Sequence, residues 1–383
     1  MKLVGVELVQ VDIPFRVDIE TAAGTHHTRR LLFVRVVADE GEGWGECAAL
    51  GDGTAVDPTV GEVAQAAGAR GVRRLIEASA ARGGAMPHER EMAKLFGSSA
   101  VDRQLGAVFE MAVADAELRQ AGQSLGQALE VEVGFETLPV GAALGIPPHH
   151  DLDVLVAQVR RAVDDGAARV RLKIAPGWDV APVRAVRADH PDLVLQVDAN
   201  GSYRADTADG LEGLVELGVL CVEQPLPPGD LVGHAELARR IGLPICLDES
   251  LSSPRRVIDA LRYEACQVAC LKPGRLGGVR AARQAHAACT AAGVAVFLGG
   301  FFEAGLGRSA NLALAARLHQ DAVGLVSDVG SPSAYLEVDP CGYPEVQHGW
   351  VRVPDRPGVG AAPDEAVLSG LGAHRDWFPA TYT

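Results

Sequence analysis

No apolar run in the sequence approaches the ~18 residues that a membrane-crossing helix requires. Its opening stretch, MKLVGVELVQVDIPF, alternates like a strand and lacks the apolar core and small-residue cleavage site of a secretory leader. A cytoplasmic location is therefore expected. Positive charge is scarce: 35 Lys and Arg stand against 50 Asp and Glu, for a net charge of −15. That balance excludes the clustered basic face of a nucleic-acid or anionic-membrane binder. Cysteine is sparse and odd in number, with seven scattered residues. Cys266 and Cys270, in CQVAC, share one strand face without zinc-ligand spacing, so buried reduced thiols are expected. The Gly-rich stretches KPGRLGG and LGGFFEAGLG lack both the Gly-Lys-Ser/Thr ending of a nucleotide P-loop and a G-x-G-x-x-G turn.

What the sequence does contain is a change of texture along its 383 residues. Residues 1–48 read as β-strands, closed by the Gly-rich EGEGWGEC. Residues 58–122 read as Ala-rich helices that stop at Gly122. From residue 138 short apolar strands alternate with amphipathic helices: LPVGAALGI, ARVRLKI, DLVLQVDAN, GVLCVEQPL, LPICLDES, ACQVACLKPG, GVAVFLGG and GLVSDVG. Repeated strand–helix units with apolar strands imply a parallel sheet covered on both faces, and eight of them imply an α/β fold of the (β/α)8 barrel type. The Pro- and Gly-rich end of the chain is expected to wrap back onto the N-terminal domain. The divisions fall at 1–130, 131–330 and 331–383.

The polar residues at the strand ends share a period. Lys173, Asp198, Glu223 and Asp248 recur every 25 residues, and Lys272 follows after 24 more. One strand–helix unit has that length, so the five occupy equivalent positions at the C-terminal ends of consecutive strands, the catalytic face of a barrel. Asp198, Glu223 and Asp248 then converge, and a divalent cation would relieve their repulsion. Oxygen-only ligands suit Mg2+, or Mn2+, over Zn2+. On this reading the cation that compensates Glu223, in the apolar VLCVEQPL, is a metal. Lys173 and Lys272 lie four strands apart, on opposite sides of an eight-strand ring. A carboxylate substrate between them would present its α-proton to either lysine, with the metal stabilising the enediolate. Arg171, two residues before Lys173, is expected to share its face and to favour its neutral form.

At these residues the chain resembles the enolase superfamily, in its muconate-lactonizing-enzyme-like subgroup. RLKIAPGWDVAPVRAVR, LQVDAN, VEQPL, GHAELARRIGLPICLDES, LKPGRLGG and GLGRSAN resemble the o-succinylbenzoate synthase and N-acylamino acid racemase family. The resemblance covers essentially the whole chain. It implies an α+β capping domain, completed by the C-terminal tail, on a modified (β/α)8 barrel. It implies Mg2+ on Asp198, Glu223 and Asp248, and acid/base roles for Lys173 and Lys272. It further implies support from Arg275 and a substrate contact from Asn200. Arg171 is expected as further support from its place on the strand, and Phe301, Phe302 and Glu303 after strand 7, with Thr25 and His26 in the flap IETAAGTHH, are candidates for substrate contact; loop roles are the alternative for Glu303 and His26. A homo-oligomer acting on a small carboxylate is implied as well.

The strand-2 Lys-x-Lys of the family is Arg-x-Lys here, which keeps the charge and is expected to keep the chemistry. Other departures bear on specificity: the flap and the loop after GWGEC carry no aromatic side chain. Phe301 and Phe302 put two rings where relatives carry smaller or more flexible aliphatics. The reading is a racemase or epimerase of N-acylated amino acids. The alternatives are o-succinylbenzoate synthase in menaquinone assembly, a related cycloisomerase or dipeptide epimerase, and a non-catalytic metal-binding barrel.

Overall fold

The computed structural model describes residues 1–21, 24–321 and 325–381, with all side chains in these ranges except those of 18–21, 24–25, 209 and 321. Three antiparallel strands open the chain: β1 (Leu3–Thr21), β2 (Gly24–Ala38) and β3 (Gly41–Glu46). Alternation sends Val6 and Leu8 inward from β1, and a register shift between Leu3 and Gly5 brings Leu3 to the same core. The last strand of the chain, His374–Pro379, pairs with the outer edge of β1 and completes a four-stranded sheet.

Helix α1 (Ala100–Ala121) lies across this sheet. Ser99 caps its N-terminus by accepting from Asp102 N, and Gly122 ends it at φ 64°. The Gly-rich β3 has a packing cause: a Cβ on Gly43 would lie 2.2 Å from Ala112 O, and one on Gly45 2.0 Å from Val108 O. Only glycine lets the strand approach the helix backbone so closely. Leu105, Val108, Phe109, Ala112 and Val113 then bury against Leu32, Val34 and Val36 of β2.

The second half of the chain builds a curled parallel sheet whose strands follow sequence order. They are β4 (Gly141–Leu144), β5 (Arg169–Lys173), β6 (Leu195–Asp198), β7 (Val222–Glu223), β8 (Ile245–Leu247), β9 (Val268–Leu271) and β10 (Ala295–Leu298). Seven of the eight expected segments are strands. The eighth begins at Gly324, outside the described residues, and its remainder follows β10 without becoming a strand. Asp328 N donates to Leu298 O at 2.8 Å, but Leu298 N donates to the Ser327 hydroxyl at 3.0 Å. A side-chain oxygen has taken the place of a ladder carbonyl. One crossover also differs from the expected amphipathic helix: the connection from β6 to β7 contains a 3-10 stretch, Ala208–Leu214.

Candidate active site

Each of the five periodic residues sits at the C-terminal end of its strand. Lys173, Asp198 and Glu223 are the last residues of β5, β6 and β7, while Asp248 and Lys272 directly follow β8 and β9. The parallel register sets Lys173 opposite Asp198 and Asp198 opposite Glu223. All three carboxylates are buried.

Every carboxylate meets a cation of the protein. Lys173 Nζ donates to Asp198 Oδ2 at 2.6 Å and also to Asn200 Oδ1. Lys272 Nζ donates to Asp248 Oδ2 at 2.8 Å. Arg171 Nη1 donates to Glu223 Oε2 at 3.0 Å and Nη2 to Asp328 Oδ2 at 2.7 Å. So the partner that Glu223 finds in VLCVEQPL is first a guanidinium. Five side chains close a ring inside the barrel: Arg171, Glu223, Gln196, Arg169 and Asp328. Gln196 Nε2 donates to Glu223 Oε2 at 2.6 Å, and Arg169 donates to Gln196 at 2.9 Å and to Asp328 at 2.6 Å. Phe297 lies under both arginines, 5.4 and 5.9 Å from its ring centre.

These partners do not fully offset the burial of Glu223. Desolvation pushes its carboxyl up to about 8; Arg171 opposes this, while Asp198 and Asp248 add to it. Burial also disfavours the Asp248 carboxylate, yet Lys272 and Arg275 outweigh burial and hold it well below the usual range. For Lys272 burial disfavours the ammonium, but the facing Asp248 carboxylate raises its pKa overall. The Phe301 ring reinforces that charged form, with its centre 4.4 Å from Lys272 Nζ. Next to Asp248, Glu249 keeps one buried oxygen without a hydrogen-bond partner. An undercompensated Glu223, an orphaned Glu249 oxygen and an oxygen-only donor set fit a hard divalent cation.

Arg275 reaches Lys272 through Asp248. Its Nη1 donates to Asp248 Oδ1 at 2.6 Å and to the Asp248 carbonyl at 2.9 Å. Its other edge forms a two-point pair with Asp57, at 2.8 and 2.7 Å. Asp57 comes from the loop after β3, so the N-terminal half of the chain fixes a strand-end carboxylate of the barrel. Sequence reading misses Asp57, because nothing in GDGTAVDPTV distinguishes it from a solvated loop residue.

Gln224 is a second residue missed. Directly after Glu223 it adopts φ 40°, and its side chain accepts from Asp248 N at 3.1 Å and Ser250 N at 3.0 Å. It thereby locks the backbone of the next ligand loop. Asn200, also left-handed at φ 43°, donates to Glu249 at 2.9 Å and accepts from Lys173. Such strained positions cluster where the surroundings over-determine them.

The remaining expected residues are dispersed. Phe301 is buried beside Lys272 and Arg275. Phe302, at φ 56°, turns its ring to Phe15 and Tyr335. Glu303 is directed into the next helix, α2 (Gly305–Asp321), where it accepts from Asn311 at 3.0 Å and lies 2.9 Å from Arg308. His26 Nδ1 lies 2.9 Å from Asp52 Oδ2. The side chain of Thr25 lies outside the described residues. Among the described residues no helix is long and apolar enough to cross a membrane.

The Enolase C-terminal domain-like family matches residues 154–367. An N-succinylamino acid racemase of Amycolatopsis sp is 38% identical over 98% of this chain and 99% of its own length. An o-succinylbenzoate synthase of Geobacillus stearothermophilus is 34% identical over 92% of this chain and 91% of its own. The crystal structure of an enolase-superfamily member from Listeria innocua superposes with a TM-score of 0.89 at 28% identity, over the full length of both chains. The chain belongs to the enolase superfamily, among relatives that are N-succinylamino acid racemases and o-succinylbenzoate synthases.

Proposed function

We propose that this protein removes the α-proton of a carboxylate substrate and racemises or epimerises N-acylated, N-succinyl-like amino acids. One observation carries the reading: two lysines, on strand ends separated by three intervening strands, each hydrogen-bonded to a buried carboxylate of one acidic cluster. Asp198, Glu223 and Asp248 would hold a divalent cation, Mg2+ by its preference for oxygen donors; when bound it supplies positive charge to the substrate carboxylate.

The chain's own groups then divide the work. Lys173, between Asp198 and Asn200, is the base that takes the α-proton. Lys272 stands across the sheet as an ammonium, held so by Asp248 and the Phe301 face, and returns a proton to the opposite side of the α-carbon. Arg275, fixed by Asp57, keeps Asp248 ionised and so keeps Lys272 charged. The reverse direction requires Lys272 to release its proton first, which makes the two lysines unequal. That inequality supports a second reading, o-succinylbenzoate synthesis, in which Lys272 serves only as a fixed cation while Lys173 acts alone. Phe301 and Phe302 set this pocket apart from those built with aliphatics, and favour a substrate with an acyl group or side chain other than the common ones.

The test is proton NMR in D2O with Mg2+ and a panel of N-acyl amino acids and dipeptides. Loss of the α-proton signal with inversion, abolished by EDTA and by Lys173→Ala, is the expected result. Absence of exchange on every member, with turnover of the cyclohexadiene precursor of o-succinylbenzoate, selects the second reading.

A further inference from the structure

Cys270 is a buried nucleophile that the proposed chemistry leaves idle. The sequence period equates Lys272 with Asp248, but the ladder between β8 and β9 is offset. Val268 lies opposite Cys246 and Ala269 opposite Leu247. The next step of that register brings Cys270 alongside Asp248, and Lys272 stands one layer above. The thiol is 1% exposed and forms no disulfide. It fills the space left by a glycine just after the neighbouring strand β10: a Cβ on Gly299 would lie 2.4 Å from Cys270 Sγ. One oxygen each of Glu223 and Asp248, together with this sulfur, lie within 4.8 Å of one another. Three atoms bonded to one ion at about 2.0–2.3 Å lie about 3.3–4.0 Å apart, so the cluster closes on an ion with side-chain adjustments of at most about 1.5 Å.

We propose that Glu223, Asp248 and Cys270 form a mixed oxygen–sulfur site for a thiophilic divalent cation such as zinc, cobalt or cadmium. The site rests on the reading of Glu223 and Asp248 as cation ligands, and it overlaps the oxygen-only set completed by Asp198. Asp198 is the member it does without, and that residue stays paired with Lys173. Sulfur selects the softer ion and oxygen the harder one. Because two carboxylates are shared, the two occupants exclude each other. Binding exchanges the S–H proton for a metal–sulfur bond and releases the proton to buffer, with no change of oxidation state. A zinc ion so placed holds Glu223 and Asp248 away from the catalytic cation, and turnover falls until a chelator removes it.

The experiment is a titration of chelator-treated, metal-free protein with Co2+, followed by optical absorption and by cobalt X-ray absorption. The expected result is a near-ultraviolet sulfur-to-cobalt charge-transfer band that saturates at one equivalent, with one sulfur scatterer at about 2.3 Å. Excess Mg2+ displaces the band. Cys246→Ser and Cys289→Ser keep it. Cys270→Ser loses it while retaining the weaker visible bands of an oxygen-bound ion. The scattering of wild-type protein needs no variant, so it decides the matter even if Cys270→Ser does not fold. Bound Co2+ with oxygen scatterers alone would overturn the thiol site and leave the oxygen set standing. No bound Co2+ at all would overturn both.

Discussion

The Arg30–Asp12 pair of the antiparallel sheet and the Arg171–Glu223 pair of the parallel barrel hold charge in opposite settings. On the sheet, Arg30 of β2 lies opposite Asp12 of β1 in the ladder, and their pair at 2.8 Å leaves both side chains about half exposed, at 55% and 47%. In the barrel, Arg171 pairs with Glu223 at 3.0 Å with only 12% and 1% exposed. At this point of the sheet alternation turns the charged pair to water, while Arg29, the preceding residue of β2, points inward and is buried. The barrel strands reverse this arrangement along their inward positions, which carry Arg169, Arg171, Gln196 and Glu223. A buried ion pair seldom beats an apolar core in stability. The barrel interior has therefore given up part of that stability to hold charge at its mouth.

The largest effect that sharpens this contrast is on chemistry, not on folding. Lys173→Ala removes a strand-end amino group that is already partly open to solvent, at 35% exposure. Turnover is expected to fall by ~10³-fold or more while the circular dichroism spectrum and Tm stay near wild type. A variant with a tenfold loss or less would remove Lys173 from the role of base.

Next in size is Arg171→Met. It leaves Glu223 with Gln196 alone and removes one of the two arginines on Asp328. Breaking such a buried pair costs about 3–5 kcal/mol, to be read by urea unfolding. Adding Glu223→Gln should recover part of the loss, because the uncompensated charge goes with it. If Arg171→Met costs no more than an exposed pair does, the barrel interior is wet and the comparison fails.

The junction between the two regions offers a pH-dependent case. Glu46 ends β3 and accepts from Ala304 N at 2.7 Å and Gly307 N at 2.8 Å, where α2 begins. Burial pushes its carboxyl up to about 8, against an ordinary value of 4.5. The folded state keeps a proton there that the unfolded chain loses, so this contribution to stability is complete below about pH 4.5 and disappears as pH rises through about 8. Glu46→Gln should flatten that part of the profile. The stability difference between variant and wild type should grow by about 2 kcal/mol or more between pH 5 and 9. Parallel profiles would mean that Glu46 ionises freely.

The same contrast decides what could be read from the sequence. Parallel strands covered on both faces write themselves as apolar runs, so a charge at their end stands out. Lys173, Asp198, Glu223, Asp248 and Lys272 were legible for that reason, and their spacing gave the barrel. What the period could not give is the stagger between strands, in which Val268 faces Cys246 and Ala269 faces Leu247. Nor could it give contacts made by loops distant in the chain: Asp57 holds Arg275 from 218 residues away. The eighth strand was lost to a local substitution, the Ser327 hydroxyl in place of a backbone acceptor. Arg169 reads as one more residue of an amphipathic strand until Asp328 and Gln196 are seen around it.

The smallest expected effect comes from the exposed pair itself. Arg30 donates to Asp12 through Nε at 2.8 Å and Nη2 at 2.9 Å, a two-point geometry that in a buried site would matter a great deal. Here water screens the attraction, and ordering two long side chains costs entropy that offsets most of it. The guanidinium still holds the Asp12 carboxyl below its usual range by direct hydrogen bonding, so some coupling exists. Arg30→Ala should therefore cost less than about 1 kcal/mol, and the cost should shrink further in 1 M salt, where the Debye length falls to about 3 Å. The same salt should leave the Arg171→Met loss nearly unchanged, because ions do not reach the barrel interior. A salt-insensitive cost at Arg30 would mean that its methylene stem, packed along the sheet, and not its charge, is what the strand pair requires.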